Sequence, residues 1–157
     1  MKIYPFPFDN VVAMPDTEPV SPLTGRCMCG AVAFEISAPL LGVAYCHCKR
    51  CQRRTGSAFS VSGLTVPGSF AITAGSDVVG TYRPDDDGWH KSYCSECGSQ
   101  LFTTHPENPE LIAVRVGALD QDPGVRPSVH QFVDYAAPWE PIPDDGLPRY
   151  QERMTWE

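Results

Sequence analysis

Nowhere in the 157-residue chain is there a run of about 18 apolar residues, so no stretch reads as a bilayer-spanning helix. Basic residues are few: 12 Lys and Arg against 19 Asp and Glu leave a formal charge of −7. That sign argues against nucleic acid or an anionic membrane surface as the main partner. Sustained helical periodicity is missing, as are internal repeats and low-complexity tracts, which leaves an all-β or mainly β class. The N-terminus holds one early lysine, Lys2, and no apolar core run, so a secretory signal is not expected and a cytoplasmic location is. What is plentiful is punctuation. The 13 Gly and 16 Pro favour short strands and turns, in a length that suits one domain with a short extension.

Seven cysteines in a cytosolic chain call for a use other than disulfides. They fall as Cys27 and Cys29, then Cys46, Cys48 and Cys51, then Cys94 and Cys97. An odd number leaves one unpaired in any disulfide scheme, and the C-x-C pairs are too close to bridge without strain. Two thiolates one or two residues apart can instead point at one zinc ion from a tight turn. Cys27/Cys29 and Cys94/Cys97 are each followed directly by a glycine, Gly30 and Gly98. We group these four as a closed structural site. Cys46, Cys48 and Cys51, within YCHCKRC, then supply three ligands from six residues. Three protein ligands and an open fourth position mark a zinc that binds or activates something. The alternatives are free buried thiols, a redox dithiol, or closure of the second site by His47 or another side chain.

Residues 1–23 carry Pro5, Pro7, Pro15, Pro19 and Pro22 and read as an extended arm; the domain proper spans 24–153. Alternation at Val32, Phe34 and Ile36 marks a strand with one buried face. Further strands are expected over 58–66, 70–74, 78–83, 90–93, 100–104, 111–116 and 129–133, with a short helical turn over 49–55 ended by Gly56. Trp139, in the Pro-rich tail, is expected to pack on the sheet.

The segments GRCMCGAVAFEI, YCHCKRCQRRTGSAF, KSYCSECGSQLF and VRVGALDQDPGVRPSVHQFV, followed by PWEPI and GLPRY, resemble the glutathione-dependent formaldehyde-activating family, to which the centromere protein V domain belongs. The resemblance runs in order from Gly25 to Tyr150. It implies a β-tent fold of coiled β-sheets. It also implies a structural zinc on Cys27, Cys29, Cys94 and Cys97, and a catalytic zinc on Cys46, Cys48 and Cys51. The implied activity is condensation of formaldehyde with glutathione to S-hydroxymethylglutathione, classed as a carbon–sulfur lyase. Gln52 stands where many relatives carry arginine.

The chemistry expected of the open site follows from its ligands. A bound thiol would be held as thiolate near neutral pH, because zinc lowers the pKa of what it binds. Three thiolates give that site a formal charge of −1, which softens its Lewis acidity and favours the thiolate role over polarisation of the carbonyl. Lys49, Arg50, Arg53 and Arg54 crowd the cluster. Of these, Lys49, Arg53 and Arg54 are the expected partners of glutathione carboxylates. His47, between two ligands, is a candidate proton shuttle whose side chain is expected to point away from the metal. His130 reads as a satisfied structural histidine, and Asp120 as a turn former. The partners expected are therefore a small thiol and a small aldehyde. A zinc-stabilised binding module without chemistry is the alternative.

Overall fold

The computed structural model describes residues 18–86 and 88–154. Of the expected N-terminal arm, residues 1–17 lie outside the described residues. Residues 18–22 run exposed over the surface, held where the Val20 amide donates to the Pro123 carbonyl at 3.0 Å. Leu23 is fully buried and already belongs to the first strand.

Among the described residues, eleven short strands and one α-helix make up the regular structure, with three 3-10 turns. In chain order they are β1 (Leu23–Arg26), β2 (Ala33–Ile36), β3 (Gly42–Cys46), α1 (Lys49–Thr55), β4 (Ser60–Leu64) and β5 (Phe70–Ala74). There follow β6 (Val79–Tyr82), β7 (His90–Cys94), β8 (Gln100–Thr104), β9 (Ile112–Arg115), β10 (Pro127–Gln131) and β11 (Arg149–Tyr150). The mainly β class is as the punctuation implied. A three-stranded antiparallel sheet runs β1-β2-β5, and an eight-stranded sheet runs β11-β10-β3-β4-β9-β8-β7-β6. Within the larger sheet β10 lies parallel to both β3 and β11, and the other neighbours are antiparallel.

Register divides the large sheet into two faces with different chemistry, because side chains alternate along each strand and directly paired residues share a side. Val43 pairs with Gly63, Gly63 with Val114, and Val114 with Phe102. That row faces the small sheet. The core closes there through Phe70, whose ring centroid lies 4.7 Å from that of Phe102 and 5.3 Å from that of Phe34. Gly63 lets Leu40 pack across it: a Cβ there would sit 2.5 Å from a Leu40 methyl, which would have to move. The opposite row is polar. Cys46 pairs with Ser60; Ser62, two residues on, pairs with Arg115; Ala113 pairs with Thr103, and Thr103 with Lys91. Helix α1 follows β3 closely and places Cys51 and Arg54 beside β4 and that row.

Two expectations need correcting. The last long strand forms over 127–131 rather than 129–133, because Phe132 adopts φ 58° and turns the chain into a 3-10 segment at Val133–Tyr135. Trp139 does not pack on the sheet; it is 65% exposed, and the neighbouring Ala137 takes the buried place in a tail with no strand before β11. No helix among the described residues is long and apolar enough to cross a membrane.

Candidate metal centres

The seven sulfurs gather into two groups, each with all its sulfur atoms within 4.8 Å of one another. One unites Cys27, Cys29, Cys94 and Cys97, the other Cys46, Cys48 and Cys51, and no disulfide forms.

The four-sulfur group is built from two turns of like form. Cys27 follows β1 and Cys94 ends β7. In each turn the glycine after the second cysteine takes a left-handed conformation, φ 77° at Gly30 and 76° at Gly98. Each glycine amide donates to the carbonyl of the first cysteine, at 3.1 Å for Gly30 to Cys27 and 2.8 Å for Gly98 to Cys94. Only glycine adopts such φ values without strain, which is why each pair ends on one. Ser99 joins the turns: its hydroxyl accepts from the Met28 amide at 2.9 Å and lies 3.2 Å from the Cys97 sulfur. That hydroxyl and the Ser99 amide hold the Cys97 pKa down to about 5. The Val32 amide donates to Cys27 Sγ at 3.2 Å. A zinc–sulfur bond of about 2.3 Å in a tetrahedron sets sulfurs about 3.8 Å apart. Cys27 and Cys29 are at 3.5 Å and Cys29 and Cys94 at 3.9 Å, so the group fits such an ion.

The three-sulfur group uses a different backbone. Cys46 ends β3. Cys48 is extended (φ −63°, ψ 152°) and caps α1, its sulfur accepting from the Cys51 amide at 3.4 Å. Gly56 ends the helix with φ 64°. Alternation sends Cys46 and Cys48 one way and His47 the other. The His47 ring is buried, with Nε2 2.9 Å from His130 Nδ1, and His130 Nε2 is 3.0 Å from Asp145 Oδ2. Tyr45 stacks on His130 at 4.7 Å. Burial, then the nearby His130, lowers the His47 pKa, so the ring is neutral near pH 7. It is turned away from the sulfurs.

Gln52 is buried beneath this loop. Its Nε2 donates to the His47 and Tyr135 carbonyls, both at 2.7 Å, and its Oε1 accepts from Lys49 Nζ at 2.8 Å. The basic run does not act as one face. Lys49, Arg50 and Arg53 are exposed, and Arg50 pairs with Asp86. Arg54 turns inward: Nη2 donates to the Ser92 and Phe102 carbonyls at 3.0 and 3.2 Å, and Nε to Gln100. Strand carbonyls beside the bulge that follows Ser92 receive it, so Arg54 leaves the exposed side on which Lys49 and Arg53 stand.

The three sulfurs lie close enough to share protons: the Cys51 pKa is pushed down, chiefly by the neighbouring Cys46 and Cys48 and further by Ser60 and Arg115, while that of Cys46 is pushed up. Two cations that sequence reasoning missed, Lys91 on β7 and Arg115 on β9, stand near Cys51. Burial and then Arg54 lower the Lys91 pKa to about 8; burial and then Arg115 lower that of Arg54 to about 9. Only strand register reveals this neighbourhood, since neither residue lies near a cysteine motif.

The family model described as glutathione-dependent formaldehyde-activating enzyme matches residues 22–135. Two proteins bearing that family's name are similar to the chain. The one from Halomonas elongata is 26% identical over 153 residues, covering 86% of this chain and 98% of its own. The one from Talaromyces marneffei is 28% identical over 85 residues, covering 54% of this chain and 45% of its own. A crystal structure of a Rhodobacter sphaeroides protein shares the fold, with a TM-score of 0.54 and 21% identity over 81% of this chain and 98% of that one.

Proposed function

The chain belongs to the glutathione-dependent formaldehyde-activating enzyme family, and on that premise we propose that it is a cytoplasmic, zinc-dependent enzyme of carbon–sulfur lyase type. It joins a glutathione-type thiol to formaldehyde or another small aldehyde, or reverses that addition. The observation that carries this reading is the unequal gathering of sulfurs, four in one group and three in the other. Cys27, Cys29, Cys94 and Cys97 would hold a structural zinc, and Cys46, Cys48 and Cys51 a catalytic one. A zinc ion on three cysteines supplies a Lewis acid that keeps a thiol ionised near neutral pH.

The chain's own residues do the rest. Cys51, already favoured as thiolate, offers a ready ligand, while Cys46 and Cys48 must give up their protons on loading. His47 supports the open position by facing away: its bond to His130 keeps the ring from becoming a fourth ligand and anchors the loop that carries Cys46 and Cys48. Lys49 and Arg53, exposed at the first and last turns of α1, meet the carboxylates of glutathione through charge-assisted bonds.

The test is metal content together with thiol entry. Protein loaded with zinc should hold one ion per sulfur group. Cobalt placed in the three-sulfur group should change its visible spectrum when glutathione is added. An unchanged spectrum at millimolar glutathione would reduce the protein to a zinc-stabilised binding module.

A further inference from the structure

A buried donor or acceptor without a partner costs free energy, so the places where such atoms cluster point to a missing ligand. Among the described residues, the buried side-chain atoms lacking a hydrogen-bond partner are Arg54 Nη1, Ser60 Oγ and Arg115 Nε. All three belong to residues around Cys51: Ser60 pairs with Cys46 across β3 and β4, Ser60 and Arg115 both favour the charged form of Cys51, and Arg54 interacts with that charge. Ser60 is 3% exposed and Arg115 8%. Lys91 interacts with the same sulfur and with both arginines, its ammonium tied to the Trp89 carbonyl.

The arrangement follows from the sheet. Ser60, Arg115 and Lys91 lie in the polar row of the large sheet that begins at Cys46, and Arg54 comes down onto it from α1. Arg115 is steadied by donation from Nη1 to Ser62 Oγ, which leaves Nε unused. A divalent metal on three thiolates has a formal charge of −1, so Arg54, Arg115 and Lys91 exceed it by two positive charges. Such an excess, shielded from water, favours an anion strongly.

We propose that Arg54, Ser60 and Arg115, with Lys91 as an added charge, form an oxyanion subsite on the Cys51 side of the three-cysteine cluster. This assignment rests on the thiol–aldehyde reading. When a thiolate adds to a carbonyl carbon, its sulfur pair forms the C–S bond and the C=O π pair moves onto oxygen. The oxygen then bears the negative charge until water protonates it, and the reverse reaction removes that proton first. The subsite receives that charged oxygen. Donors placed where charge develops are the usual means of stabilising such a step.

Formate serves as the probe, a one-carbon oxyanion, with formamide as its neutral counterpart. Line broadening of carbon-13 formate is followed on the zinc-loaded full chain, with circular dichroism to verify the fold of each variant. Formate should bind and formamide should not. Arg115→Met should weaken formate about tenfold or more, and Arg115→Lys should restore most of the loss. Should Arg115→Met fail to fold, Lys91→Met gives the same reading with a smaller loss. Formate binding that ignores both changes, or equal binding of formamide, overturns the subsite. Formate bound as expected without thiol entry keeps the subsite and removes the thiol reading; thiol entry with formate indifferent to Arg115 does the reverse.

Discussion

The two sulfur groups use one kind of ligand in two kinds of backbone. The four-sulfur group is clamped by hairpin-like turns from distant parts of the chain, each fixed by a left-handed glycine and both joined through Ser99. Its sulfurs take hydrogen bonds from backbone amides and a hydroxyl. The three-sulfur group spans six residues, from a strand end to the first turn of a helix, and stands beside the buried Arg115 and the half-buried Lys91 and Arg54. The first arrangement closes a loop of the fold, so a metal held there would contribute to folding directly. The second lies within one strand-to-helix junction, beside donors that have no partner.

The contrast can be sharpened at the buried amide beneath the three-sulfur group. Gln52→Ala removes donors from the His47 and Tyr135 carbonyls and should cost about 1–3 kcal/mol. Thiol entry at the three-sulfur group should weaken while zinc stays on the four-sulfur group, measured by denaturant unfolding beside the cobalt spectrum. Zinc loss from both groups would show that the two are not independently supported.

A smaller effect should appear on the other side. Asp120 binds Arg26 Nε and Thr24 Oγ1, both at 2.8 Å, and so clasps the strand that leads into Cys27. The Arg26 guanidinium, then the Thr24 hydroxyl, lower the Asp120 pKa from its ordinary value near 3.8. A folded pKa below the unfolded one contributes stability above the unfolded value, and that stability is lost as pH falls through the folded value. The melting-temperature difference between the natural chain and Asp120→Asn should therefore be small at pH 7 and shrink as the medium is acidified below about 4. Acid-driven zinc loss is common to both chains and cancels in the difference. A difference that grows with acid would contradict the clasp.

What the sequence makes legible is local. The cysteine pairs, the glycines that end their turns and the helix over 49–55 all depend on neighbours in the chain, and the structure places them accordingly; the like form of the two glycine-ended pairs is what points to their joining across 65 residues. The strands at Phe70–Ala74 and Gln100–Thr104 have the bounds that alternation and Gly/Pro punctuation imply. The short edge strand Arg149–Tyr150 has no period of its own; its pairing with His130 and Gln131 makes it a strand. Lys91, Ser60 and Arg115 reach Cys51 only through strand register across four neighbours of the sheet, which no motif spacing encodes. Arg54 shows the limit most plainly: adjacent to Arg53 in sequence, it turns into the protein because strand carbonyls await it there.

The division of labour between the two groups is tested most directly by removing one ligand from each, with zinc content and melting temperature measured on both variants. Cys94→Ser should unfold the domain or lower its melting temperature severely, because a structural zinc supplies folding free energy. Cys48→Ser should leave a folded chain that retains the zinc of the four-sulfur group alone. Equal loss of structure in the two variants would contradict the account.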